Sequence, residues 1–198
     1  MVALFFLLEL LNAVILYTML WSSSYWSVTN KQSSARAVNT ITYQFVLNFF
    51  SSIILFFGIN SVITLTGSSD LRLVSLCLAN EGVSLYVSLV LFAFLLKFGT
   101  GPWVFFKVNI YRGLNLSSIL IYSVVYLSLV FSFYLNLFAV YGLSLNSFYR
   151  YLIIAVSAFA SVVFSGFAFQ VPNIFVFLSF SSLLNLTIFL AQLLVVAA

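Results

Sequence analysis

The chain has 198 residues, of which 64% are hydrophobic and 5% charged, with a formal net charge of +4. Soluble domains carry about 25% charged residues, so the composition excludes a water-soluble domain and places the chain in a bilayer. The seven basic residues stand singly rather than in a patch, which excludes a nucleic-acid surface and fits Lys and Arg anchoring beside membrane spans.

Taken in order, Met1 to Trp21 is the first apolar run. It lacks the positive start of a signal sequence and carries Glu9 in its middle, so it is expected to be a retained transmembrane helix. No Arg-rich transit segment or cleavage pattern is visible, as expected of a protein made inside its own compartment. Residues 22–37 form a polar loop with Lys31 and Arg36, and Tyr25 and Trp26 suit the headgroup level. A long second helix runs from about Val38 to Thr66, ended by Gly67-Ser68-Ser69-Asp70. Residues 71–82 read as a connection with at most a short helical turn. A third helix starts near Val83 and is interrupted at Gly99 to Pro102, with a further segment to about Tyr111. The remaining helices are expected at 116–141, 149–170 and 174–196. The expected fold is an all-α membrane protein, one transmembrane domain of about six helices over residues 2–21, 38–66, 83–111 (broken), 116–141, 149–170 and 174–196. Lys31, Arg36, Lys107 and Arg112 then share one face with no acid, whereas Arg72 and Arg150 on the other are offset by Asp70 and Glu81. The positive-inside rule puts the first face in the matrix or cytoplasm.

The most informative stretch is Leu95-Leu96-Lys97-Phe98-Gly99-Thr100-Gly101-Pro102-Trp103. An ammonium at a membrane helix centre costs roughly 2.5–3.5 kcal/mol on insertion scales. Pro102 has no N–H to donate and clashes with the preceding turn. Broken backbone at membrane depth survives only where protein or a wet cavity satisfies it. A buried charge beside a helix break marks a candidate ion pathway.

Glu9 is the matching acid. It lies about 12 Å from Met1 along its helix at 1.5 Å per residue, near mid-membrane if the helix starts there. The bland readings are an interfacial carboxylate for Glu9 and, for Lys97, an amine reaching toward loosened carbonyls at the break. If the two pair, the acid holds the lysine charged; if they part, desolvation favours proton release. Lys107 and Arg112 read as surface anchors. Gln44, Asn48, Asn60, Asn136, Asn185 and Gln192 lie within apolar runs, where they either glue helices or hold a water chain. Paired serines recur at Ser51-Ser52, Ser117-Ser118 and Ser181-Ser182, as in close helix packing. Two glycosylation patterns, at Asn115 and Asn185, fall at or in the membrane and are discounted.

Other chemistries lack their residues. A single cysteine, Cys77, leaves no internal disulfide and no iron–sulfur cluster held by this chain alone. There is no histidine, so the usual haem and zinc ligand sets are missing. Neither a phosphate-cradling glycine loop nor a nucleophile triad is present. The 24 Phe and 11 Tyr fit membrane packing or an AT-rich, organelle-type genome.

Leu96-Lys97-Phe98, Gly101-Pro102-Trp103 and Tyr111-Arg112-Gly113 together resemble the stretch after the broken helix in the antiporter-like membrane subunits of respiratory complex I. Leu8-Glu9-Leu10 looks like that family's glutamate helix. Phe57-Gly58-Ile59 through Asp70-Leu71, Leu116-Ser117-Ser118, and Asn173-Ile174 with Ser181-Ser182 line up in the same order. The resemblance implies that Glu9 is the channel glutamate and Lys97 its partner, with the break at Gly99, Gly101 and Pro102. It implies proton movement driven by quinone reduction elsewhere. It also implies an organelle-encoded, multi-pass subunit of the mitochondrial inner membrane, or less expectedly of a bacterial plasma membrane. No cofactor is expected on this chain; NADH, flavin, iron–sulfur clusters and ubiquinone belong to other subunits. The expected partners are other membrane-arm subunits and lipid. The family's further helices are expected either on a second chain, the favoured reading, or lost from this subunit. Departures from the pattern are Val104 for the family histidine, Phe106 for its tryptophan, Phe175-Val176 for Lys-Arg, and Tyr126-Leu127 where the next lysine is expected. Two other functions stay open: a scaffold subunit with a dead proton path, and an independent secondary transporter with a midplane ion site.

Overall fold

The computed structural model describes residues 1–27, 31–77, 81–99, 108, 111, 119–141, 147–168 and 174–196. Among these residues the regular structure is helical throughout, with no strand. The elements are α1 (Val2–Ser27), α2 (Lys31–Thr66), α3 (Leu71–Leu76) and α4 (Glu81–Phe98). A π-helical segment (Ile121–Tyr126) then leads directly into α5 (Leu127–Tyr141), followed by α6 (Ser147–Ala168) and α7 (Ile174–Val196).

Helix ends depart from the expected ones where polar residues suggested a loop. α1 continues past Trp21 to Ser27, and α2 begins at Lys31 rather than Val38. Residues 22–37 contain no glycine or proline, and polar side chains alone do not stop a helix that is already propagating. The connection over 71–82 holds α3, begun by Asp70, whose carboxylate accepts the Arg72 backbone N–H at 3.3 Å. At the other end of α4, Gly99 takes a left-handed φ of 69° and donates its N–H to the Leu96 carbonyl at 2.9 Å. That is half of a Schellman closure, in a conformation an L side chain resists. The rest of the expected break, Gly101 and Pro102, lies outside the described residues, as do Lys107 and Arg112.

α2 is the axis of the bundle. α1 packs along one side of it and α4 along another, while α5 packs on α4 and α6 pairs with α7. The main core joins Leu8 and Ile15 of α1, Leu55 and Val62 of α2, Phe94 and Phe98 of α4, and Tyr126 and Tyr134. A smaller cluster holds α6 to α7 through Ala160, Val176, Phe180 and Leu183. The outside is also apolar: Phe49, Phe50, Ile53, Phe56 and Phe57 of α2 and Phe6, Leu10 and Val14 of α1 are exposed. Apolar surface on this scale requires lipid or protein over it. Two helical stretches, Val38–Thr66 and Ile121–Ala139, are long and apolar enough to cross a membrane.

α4 lies close against α2 at Gly58. A β-carbon there would lie 2.8 Å from Val90 Cγ2 and 3.4 Å from the Tyr86 carbonyl oxygen. Valine is stiff at χ1 and yields little. Gly58→Leu is therefore expected to destabilise the bundle by about 1–3 kcal/mol through overpacking. Gly166→Ala, where no atom lies within 4 Å, is expected to be neutral or mildly stabilising. Thermal unfolding in detergent micelles separates the two. An unchanged midpoint for Gly58→Leu would mean that α2 and α4 do not meet at this point.

Candidate functional site

Three helices converge on one charged cluster. Lys97 Nζ donates to Glu9 Oε1 at 2.9 Å and to Ser52 Oγ at 3.1 Å, and Ser52 Oγ donates to the same Glu9 oxygen at 2.6 Å. Two of the three ammonium protons are thereby placed on oxygen. Lys97 is fully buried, whereas the Glu9 side chain is 31% exposed, so the ion pair is sealed at its amine end and open at its acid end. The two residues singled out as lone charges in apolar runs are thus brought together, 88 positions apart in the chain.

Local structure explains how an amine is held there. Lys97 stands in the last turn of α4, and that helix ends inside the protein, with Phe98 and Gly99 both buried. The last carbonyls of a helix lack intrahelical partners and carry about half a negative charge. An ammonium in the last turn is favoured by that field as well as by Glu9. Gly99 closes the Leu96 carbonyl from the far side.

Below the pair, α2 carries a stripe that inverts the usual pattern. Thr40, Gln44, Asn48, Ser51 and Ser52 recur at helical spacing; the first four are buried and Ser52 is partly so. Ser51 spends its hydroxyl on the Asn48 carbonyl of its own helix at 2.8 Å, the usual way an apolar helix carries serine. Its neighbour Ser52 does not, and turns to Glu9 instead. On α1, Asn12 is 4% exposed, one turn beyond Glu9. Neither amide atom of Asn12 nor of Gln44 has a hydrogen-bond partner among the described residues. Each such buried group left unpaired costs about 1–3 kcal/mol.

The π-helical segment supplies the opposite wall. One wide turn places Tyr122 and Tyr126 inward, stacked at 5.3 Å and both 1% exposed. Tyr126 Oη donates to Asn48 Oδ1 at 3.1 Å. Tyr111 meets Tyr122 edge-on at 6.2 Å. π-Turns inside α-helices cluster at functional sites.

Of the other polar residues picked from the sequence, Gln44 and Asn48 are buried, while Asn60, Asn136, Asn185 and Gln192 are exposed. Asn12, Ser52, Tyr122 and Tyr126 were not foreseen as members of the site. A signal for the first two existed: Thr40, Gln44, Asn48 and Ser52 stand at strict four-residue spacing, and Asn12 is three residues from Glu9. Among the described residues no three His, Cys, Asp or Glu side chains gather as metal ligands. Comparison with protein-family models gives no match, and comparison with curated protein sequences gives none either.

Removing only the acid leaves a buried ammonium facing Ser52. Glu9→Leu is expected to cost about 3–5 kcal/mol, and the double variant Glu9→Leu/Lys97→Met distinctly less, since no charge is then stranded. Denaturant or thermal unfolding of the three proteins in micelles measures this. Equal losses in the single and double variants would show that the pair is not formed.

Proposed function

We propose that this chain is a proton-translocating membrane-arm subunit of an NADH:ubiquinone oxidoreductase, resembling subunit 2 of that enzyme. The observation that carries this reading is the Glu9–Lys97 pair, 2.9 Å long, set at the buried end of α4 and continued by buried polar side chains. Ionisable groups held inside apolar helices mark proton and ion pathways. The collinear resemblance to antiporter-like subunits assigns the same two residues.

On this reading the bundle of about six helices spans the mitochondrial inner membrane, and the chain holds no redox centre. NADH oxidation and quinone reduction take place on other subunits. Charge released there alters the field at the pair, which opens, gives up the ammonium proton toward one side of the membrane, takes another from the opposite side and closes again. Neighbouring membrane-arm subunits cover the apolar outer face and the exposed side of Glu9.

A second reading, a scaffold with a dead proton path, draws on one specific observation. Where a second amine is expected, the chain has Tyr126, whose hydroxyl is engaged by Asn48. Tyrosine at ordinary strength carries no charge near neutral pH.

The deciding experiment is Lys97→Met within the assembled complex. The expected outcome is fewer protons moved per quinone reduced. An unchanged ratio, with the subunit assembled, would sink the channel role and leave the scaffold.

A further inference from the structure

We infer that Ser52 is the latch of the Glu9–Lys97 pair, a positioning residue whose hydroxyl has two stations: Glu9 when the pair is closed, and the Phe49 carbonyl of its own helix when the pair is open. The two stations follow from the geometry; their use in proton movement rests on the function proposed above.

The serines of these helices share one habit. Ser51, Ser88, Ser157, Ser161 and Ser165 each donate the hydroxyl to the carbonyl three residues back, at 2.6–2.8 Å. Such a bond satisfies a hydroxyl without help from another helix. Ser52 stands on the same kind of backbone, with Phe49 three residues back, and forgoes that bond. Its hydroxyl crosses to α1 and donates to Glu9 Oε1 at 2.6 Å. A change of staggered rotamer about one bond carries it from the first station to the second.

At the first station Oγ is engaged from both sides. It gives its hydrogen to the carboxylate and accepts from Lys97 Nζ at 3.1 Å. A hydroxyl has a single hydrogen, so the bond to Glu9 and a bond to Phe49 exclude each other. Rotation therefore takes a donor from the acid and an acceptor from the ammonium in one movement. The hydroxyl itself is satisfied in both states, so opening the pair strands no polar group on α2. With the latch closed, Glu9 Oε1 is held by two donors instead of one. One hydrogen bond to a charged group shifts an equilibrium by roughly 10- to 100-fold. Ser52 thus keeps the pair shut until it is driven open, and makes the opening a single step.

Two experiments on the assembled complex test this. The first locates the second station. Glu9→Leu/Lys97→Met removes both partners of Ser52, and density that resolves side chains is expected to place Oγ against the Phe49 carbonyl. An Oγ that keeps its original rotamer overturns the second station. The second experiment compares Ser52→Ala, Ser52→Thr and Ser52→Val. Threonine keeps a hydroxyl that reaches the same backbone carbonyl, and valine matches its size without one. Infrared difference spectra report the carboxylate stretch of Glu9, identified as the band lost in Glu9→Gln. That band is expected to move in the Ala and Val variants and to hold in the Thr variant. Protons moved per quinone reduced are expected to fall in Ala and Val, with quinone reduction continuing, and to keep the parent ratio in Thr. An unmoved band or an unchanged ratio in Ser52→Ala overturns the latch. Equal losses in Thr and Val overturn it too, since crowding would then be the cause. Lys97→Met separates the two proposals. If it leaves the ratio unchanged while Oγ still turns to Phe49, the function fails and the two stations stand. If it lowers the ratio and Ser52→Ala does not, the latch fails and the function stands.

Discussion

Everything in this bundle is arranged around the cost of one ammonium group without water. Lys97 is fully buried, and a lone charge in such a place is tolerated only when paired and hydrogen-bonded. Three separate elements meet that demand. α4 ends one residue later, so its carbonyl field faces the amine. α1 delivers the anion, and α2 delivers the hydroxyl that bridges both. A slip of any one helix by a single residue would turn its contribution away by about 100°. The cluster therefore sets rotation and depth for α1, α2 and α4 at once, independently of what it conducts.

That role matters because the apolar contacts select weakly among arrangements. Helices that are hydrophobic on every face gain little from choosing one face over another when lipid is the alternative. α2 exposes Phe49, Phe50, Ile53, Phe56 and Phe57 and buries Gln44, Asn48 and Ser51. Its inward side carries polar groups that must avoid lipid beside buried Leu55 and Val62, with Gly58 permitting the close approach to α4. Packing then follows a rotation that electrostatics and hydrogen bonding have already chosen.

This division explains what was legible in the sequence. Helical class and the membership of Glu9 and Lys97 could be read because a charge in an apolar run has few uses. The α4 terminus was legible from Gly99, whose left-handed conformation few other residues adopt. The start of α2 was misplaced because Lys31 to Ala37 is polar, and polarity does not distinguish a loop from a helix emerging from the apolar zone. Asn12 was overlooked because one amide in an apolar run is commonly a helix–helix hydrogen bond; only its pairing with a stripe on another helix gives it meaning. The paired serines at 51 and 52 look alike in sequence yet do different work, since one faces its own backbone and the other faces Glu9. The π-turn leaves no composition mark at all. It follows from how Tyr122 and Tyr126 are accommodated against α1 and α2, a tertiary effect.

The same geometry sets the limits on conduction. An ion pair this well bonded is a resting state, since the Ser52 hydrogen bond at 2.6 Å adds to the hold on the Glu9 carboxylate. On the function proposed above, passing a proton requires that the acid be drawn off the amine. The Glu9 side chain is 31% exposed and that of Lys97 fully buried, so an external field or charge acts on the acid first. A side chain at position 126 that is neutral does not compete with Lys97 for Glu9, as a second amine would. The tyrosine that departs from the expected pattern thereby leaves one acid and one base in the cluster.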